Sequence, residues 1–102
     1  MKSIEQVREQ LAKGEFEFSH HAFIRAVERN ISDVEICEAG SEAEVIEDYP
    51  DDKYSPSCLL LGFTEAGRPL HIHVSLFGSV LVKIITLYEP ENGEWIGYRQ
   101  RR

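Results

Sequence analysis

The 102-residue sequence has little of what would give it a covalent framework or a ready-made cofactor site. Its two cysteines, Cys37 and Cys58, do not form a CxxC pair. That excludes a disulfide framework and points to a reducing compartment in which both thiols are buried. No apolar run approaches the roughly 20 residues needed to span a bilayer, and the opening MKSIEQVREQLAKGE lacks the apolar stretch of a signal peptide, so the expected setting is cytoplasmic, with no membrane contact. A glycine-rich phosphate loop, a G-x-S-x-G elbow and an H-E-x-x-H pair are also missing, and with them the usual support for nucleotide-binding, serine-hydrolase and zinc-protease chemistry. Basic residues are scarce: 11 Lys and Arg face 18 Asp and Glu, for a formal net charge of -7. This balance argues against a broad, nonspecific nucleic-acid or anionic-membrane surface, while a local positive patch still suffices to hold phosphates.

What is present suits one compact domain spanning residues 1–102, with 42% hydrophobic residues, seven Gly and four Pro; a chain this short has room for one sheet and one helical layer. Ser3 is placed to cap a first helix through Ile4, Val7 and Leu11 that ends at Gly14. A brief alternating segment follows over residues 15–18. Ser19 then opens a second helix with Phe23, Ala26 and Val27 turned inward and Asn30 as a stop, and Ile31-Ser32-Asp33-Val34-Glu35 is a capping box predicting a third helix that ends near Gly40. Beyond Gly40 the period changes to two. Val45, Glu47 and Tyr49 alternate with Ile46 and Asp48, and strands are predicted over 57–63, 69–75 and 80–88 with short turns between them. The expected class is therefore α+β, with N-terminal helices packed on one face of a mostly antiparallel sheet of about four strands. Charge is polarised along the chain: nine acids and no Lys or Arg occupy positions 33–52, whereas Arg25 and Arg29 lie in the second helix and Arg99, Arg101 and Arg102 in the tail.

Four groups of residues carry possible chemistry. His71 and His73 sit two apart in a strand and share a face, so they can share a zinc ion or divide acid and base roles in phosphodiester cleavage; equally, they suit a half-exposed polar face, since a closed zinc site needs two more ligands. His21, Arg25 and Glu28 lie on one flank of the second helix, where Arg25 or Arg29 can grip a phosphate beside His21 or join an ion-pair network. Lys83 interrupts an apolar strand. It is expected to share a face with Leu81, Ile85 and Leu87, opposite Tyr88 unless a bulge intervenes, and it can stabilise a phosphorane or protect a sheet edge. Asp51 and Asp52 read as turn chemistry before hard-cation ligands. Tyr49, Tyr54 and Tyr88 are candidates for base stacking or for the rim of the core, and Trp95 and Tyr98 for anchoring the tail or a partner.

The segments HHAFIRAVERNIS, EVIEDYPDDKYSPSCLLLGFTEAGRPLHIHVS and VKIITLYEP resemble the family known as domain of unknown function 4258, over roughly positions 16–90. His21-Ala22 with Arg25, Glu28 and Arg29, Tyr49-Pro50-Asp51-Asp52, Cys58, Gly62, Pro69-Leu70-His71, Thr86 and Tyr88-Glu89-Pro90 carry the likeness. The resemblance implies a fold similar to the small ribonuclease toxins of the RelE, BrnT and MqsR kind, and a type II toxin-like endoribonuclease that acts on messenger RNA without a required metal or cofactor. It also implies a small zinc-finger antitoxin as partner. Residue chemistry then selects His21 and His71 for proton transfer, Arg25, Arg29 and Lys83 for phosphate or transition-state contacts, and Tyr88 as an auxiliary, with RNA held in a local basic groove. A noncatalytic protein-interaction module on the same scaffold and a zinc protein using His71 and His73 are the rival readings, and the sequence leaves a homo-oligomer open.

Overall fold

A computed structural model describes residues 1–102. Three nine-residue helices, α1 (Ile4–Ala12), α2 (His20–Glu28) and α3 (Asp33–Ser41), precede or flank the strands β1 (Phe16–Phe18), β2 (Glu44–Tyr49), β3 (Ser57–Phe63), β4 (Pro69–Ser75) and β5 (Val82–Tyr88), and a short hairpin, β6 (Trp95–Ile96) and β7 (Gln100–Arg101), closes the chain. Each helix begins on the serine that the sequence offers. Ser3 forms a capping box with Gln6, Ser19 Oγ accepts from the Ala22 amide, and Ser32 forms a capping box with Glu35. These contacts satisfy amides that have no partner inside the helix. Asn30, at φ 54°, and Gly14, at φ 75°, take the left-handed backbone that ends α2 and α1.

The sheet has five strands in the order β1-β5-β4-β3-β2, one more than the sequence pattern indicates. β2 to β5 form the expected antiparallel meander, and the brief segment before Ser19 adds a parallel edge strand, with Glu17 directly opposite Lys83. Three residues are too few for periodicity to reveal a strand; pairing with β5 makes it one. All three helices lie on one face. Val7, Leu11, Ala22, Ala26, Ile31, Ile36 and Ala39 close over Leu60, Leu70, Ile72, Val74, Val82, Ile84 and Leu87 of the sheet. Helix α2 turns a different face inward from the one expected. Ala22 and Ala26 are buried, while Phe23 and Val27 are 56% and 67% exposed. Small side chains let this helix sit close to β5, and the larger ones are left on its rim.

Two bulges re-aim side chains. In β5 the pairing shifts between His73↔Thr86 and Val74↔Ile84, so Ile85 is extra and the alternation restarts. Leu87 therefore joins the core instead of sharing Lys83's face, and Tyr88, opposite His71, stands on the same open face as Lys83. In β2 the shift at Ile46 likewise separates Val45, opposite core Leu60, from Glu47 and Tyr49, opposite Leu59 and Ser57.

The tail covers part of this open face. Gly97 and Tyr98 both have positive φ, and the Arg99 amide donates to the Ile96 carbonyl at 3.1 Å, the geometry of a tight type I′ turn. Trp95 is buried with its ring edge-on to His71 at 4.4 Å, and Tyr98 packs against Phe63. Arg99 pairs with Glu44 at 2.7 Å and Arg101 with Glu47 at 2.8 Å. Arg99 and Arg101 therefore neutralise part of the acidic segment, while Arg102 donates to the Asn92 carbonyl.

Candidate active site

Three of the sequence-selected residues, Arg29, His71 and Tyr88, come together around the Tyr88 ring, while His21, Arg25 and Lys83 lie elsewhere. His21 and Arg25 are on the outer flank of α2, where Arg25 Nε approaches His21 Nε2 at 3.4 Å and its guanidinium pairs with Glu28 at 3.1 Å. Arg29 lies at the end of that helix, donating to the Leu87 carbonyl at 2.8 Å and sitting 5.9 Å from the Tyr88 ring centre. His71 is sealed under the tail. Its Nε2 is 2.6 Å from the Tyr98 carbonyl and its Nδ1 3.2 Å from the Tyr88 hydroxyl. A carbonyl can only accept, so Nε2 carries the proton and Tyr88 donates to Nδ1. Burial holds the His71 imidazole below its ordinary range and pushes the Tyr88 phenol up. Both nitrogens of His71 are engaged, and no three His, Cys, Asp or Glu side chains are grouped as metal ligands around it and His73.

The largest cavity, about 510 Å³, lies beside Tyr88 and contains Arg29 and Arg68, but Glu89, Glu91 and Glu94 also line it. Arg68 is largely engaged: it donates to Glu89, to both oxygens of Glu35 and to the Arg29 and Asn30 carbonyls. Three carboxylates in the lining and a guanidinium committed to protein acceptors make this a poor seat for an anion.

A second groove, about 480 Å³, has a better chemical order. It opens where the tail stops, over the end of β4 and the start of β5, and its lining includes Asp52, Ser55, His73, Ser75 and Lys83. Ser57 Oγ donates to Asp52 Oδ2 at 2.5 Å and lies 2.9 Å from His73 Nε2. With the hydroxyl proton committed to the carboxylate, His73 Nε2 must be the donor to Ser57. The Nδ1 lone pair is thereby left as the basic position of the ring. Tyr49 packs edge-on against the imidazole, with ring centres 5.3 Å apart. Burial lowers the His73 pKa, partly offset by the Asp52 carboxylate, so at neutral pH the ring is an unprotonated base held in one tautomer. Lys83 brings an ammonium to the same groove, half exposed and 3.9 Å from Glu17.

Sequence reasoning weighed His73 only with its neighbour, and missed Ser57 and the use of Asp52. The signal available was Pro50-Asp51-Asp52 followed five residues later by Ser57 at the start of a strand, but a turn aspartate and a strand serine are too common to be picked out. Arg68 also passed unnoticed, because its partners come from three separate segments.

Fold and site together define a small α+β protein with a polar, histidine-containing groove on the uncovered part of its sheet. The family model described as "Domain of unknown function (DUF4258)" matches residues 18–89, more than half the chain, and the protein belongs to that family. No curated protein and no solved structure matches the chain. No helix is long and apolar enough to cross a membrane.

Proposed function

We propose that the protein is a metal-independent endoribonuclease whose reaction centre is the His73–Lys83 groove. The observation that carries the reading is the Asp52–Ser57–His73 chain of hydrogen bonds, which fixes a neutral imidazole beside an ammonium in an open groove. His73 Nδ1 takes the proton of a ribose 2′-hydroxyl, and the O2′ electron pair attacks the adjacent phosphorus. The P–O5′ bond breaks, and O5′ takes a proton from solvent. The products are a 2′,3′-cyclic phosphate and a 5′-hydroxyl. Lys83 stabilises the charge that accumulates on the phosphorane oxygens. The Asp52 carboxylate stabilises the imidazolium formed in the attack, as a third group does in other relay sites. Messenger RNA as substrate and a small zinc-finger antitoxin as partner complete the toxin-like reading.

The test is cleavage of a mixed RNA in EDTA. His73→Ala is expected to lower the rate by about 10²–10⁴-fold, the usual contribution of a positioned acid or base, and Lys83→Ala by about 10²-fold. Arg25→Ala, on the far side of the sheet, stays within about threefold. A native chain that cleaves nothing, or a His73→Ala variant with full activity, refutes the reading.

One observation favours a second reading, a noncatalytic interaction module. Phe23 and Val27 stand exposed beside a groove of about 280 Å³ that Phe18, Ala26 and Ile31 help to line, and an apolar rim of this kind suits a protein partner. Of the two roles open to Trp95, anchoring the tail or a partner, it takes the first, packed on its own sheet and only 2% exposed.

A further inference from the structure

The reaction groove continues into a neighbouring cavity of about 380 Å³ that shares Tyr54, Ser55, Ser75 and Lys83 with it and adds Phe77, Ser79 and Glu17, the carboxylate that faces Lys83. Two aromatic rings on this rim are without cover: Tyr54 is 88% exposed and Phe77 64%. Neither belongs to the core. Both sit on connections, Tyr54 between β2 and β3 and Phe77 between β4 and β5, and those connections are tied together underneath. Ser55 Oγ and Ser75 Oγ are 2.7 Å apart, the Phe77 amide donates to Ser75 Oγ at 3.1 Å, and the Leu76 amide donates to the Pro56 carbonyl at 2.8 Å. The rings thus rise from a braced floor. Lys53 holds its ammonium 5.4 Å from the Tyr54 ring centre, a second cation on the same rim.

We infer that Tyr54 and Phe77 form a base-stacking subsite that makes the groove selective for single-stranded RNA. The inference rests on the ribonuclease reading and adds the substrate class. Every base has a flat π-face that can stack on an aromatic side chain, whereas in a duplex that face is taken by its neighbours. Tyr54 and Lys83 line both cavities and His73 lines the first, so a strand with a base on this rim has its phosphates directed along Lys83 toward His73. Stacking also answers the charge problem. A chain with net charge -7 gains little from long-range attraction of RNA, so affinity has to come from short-range contacts.

The experiment measures binding apart from chemistry. A fluorescently labelled, mixed-sequence octamer with 2′-O-methyl groups throughout is bound but not cleaved; it is titrated at low salt by fluorescence anisotropy as a single strand and as the duplex with its complement. Tyr54→Ala and Phe77→Ala are each expected to weaken single-strand binding about 5- to 100-fold, the range of alanine substitutions at stacking positions. Tyr54→Phe should retain wild-type affinity, and Arg25→Ala, on the outer flank of α2, should bind within twofold of wild type. The duplex should bind at least tenfold more weakly than the single strand. Equal affinity for single strand and duplex, or wild-type binding by both alanine variants, overturns the subsite. If the alanine variants bind normally while His73→Ala abolishes cleavage, the subsite fails and the ribonuclease reading stands. If they lose binding while no variant or native chain cleaves RNA, the subsite stands as a single-strand binding site and the catalytic reading fails.

Discussion

Helix α3 lies directly on strand β3, and Gly62 is the contact. A Cβ added at Gly62 would lie 1.9 Å from the Ala39 carbonyl oxygen and 2.6 Å from its carbon, whereas Cβ atoms essentially never come within 3.0 Å of another atom. The obstacle is backbone, which cannot rotate away as a side chain would. Gly62→Ala must therefore push α3 off the sheet by more than 1 Å, opening space around Ile36, Ala39 and Leu60, all now buried. Overpacking usually costs about 1–3 kcal/mol, and this rigid case belongs at the upper end. Stiffening the unfolded chain returns about 0.4–1 kcal/mol, which leaves a net loss of about 2 kcal/mol. For a domain of this size that lowers Tm by roughly 8–16 °C, readable by thermal circular dichroism. Gly40→Ala is a second case of the same kind, because its Cβ would lie 2.5 Å from the Leu11 Cβ, which is fixed to the α1 backbone, and it too should lower Tm. A Gly62→Ala variant that melts within 3 °C of wild type refutes direct backbone contact between α3 and β3.

Acid stability should show two branches. Burial depresses the pKa of His71 and His73 below 6.5, so the unfolded chain binds more protons than the folded one as pH falls below that value, and stability drops from there while staying flat above it. Glu47, lowered first by its bonds to Arg101, and Glu35, lowered first by the Ser32 amide, sit below 4.5; their stabilisation is present above that value and is lost as pH falls through their folded pKa values. Urea midpoints unchanged between pH 7.5 and 5.5 would contradict the histidine branch. Glu17→Gln removes the carboxylate 3.9 Å from Lys83 and frees the ammonium for phosphate. Because an exposed pair contributes about 0–1 kcal/mol, RNA cleavage should rise about two- to fivefold at low salt, with the gain vanishing in 0.5 M salt. A slower Glu17→Gln enzyme would mean that Glu17 takes part in the reaction.

The local grammar of the chain was legible wherever a side chain bonds its own neighbourhood. Ser3, Ser19 and Ser32 cap the helices they were read to cap, Asn30 ends α2, and the meander from β2 to β5 follows from short turns between apolar runs. What the sequence concealed depends on contacts far apart in the chain. β1 is a strand only because β5 accepts it, and Phe23 and Val27 look like core positions until the close approach of Ala22 and Ala26 to the sheet decides otherwise. The bulge at Ile85 reverses the face of Leu87 and Tyr88, and periodicity cannot anticipate an extra residue. The pairing of charges was hidden for the same reason. The acid-rich stretch and the basic tail, remote in sequence, meet as Glu44–Arg99 and Glu47–Arg101.

His71 and His73 show how the tail decides what the sheet can do. They occupy the same strand and the same face, and the register sets them opposite Tyr88 and Thr86. Tyr98 adopts φ 64°, a conformation uncommon for a residue with a side chain, and in doing so turns its carbonyl onto His71 Nε2 while Trp95 closes over the ring. That histidine becomes a structural pin whose proton is committed to the backbone. The hairpin goes no further along β4, so His73 keeps its Nδ1 for the groove and takes its orientation from Ser57 and Asp52. A pin needs both nitrogens satisfied, whereas the base proposed at His73 needs one left open. His71→Gln should therefore lower Tm and leave the rate of the folded fraction near wild type, whereas His73→Gln should spare Tm and abolish the rate. The reverse pattern, with His71→Gln inactive at unchanged stability, would move the reaction centre under the tail and overturn the assignment of the groove.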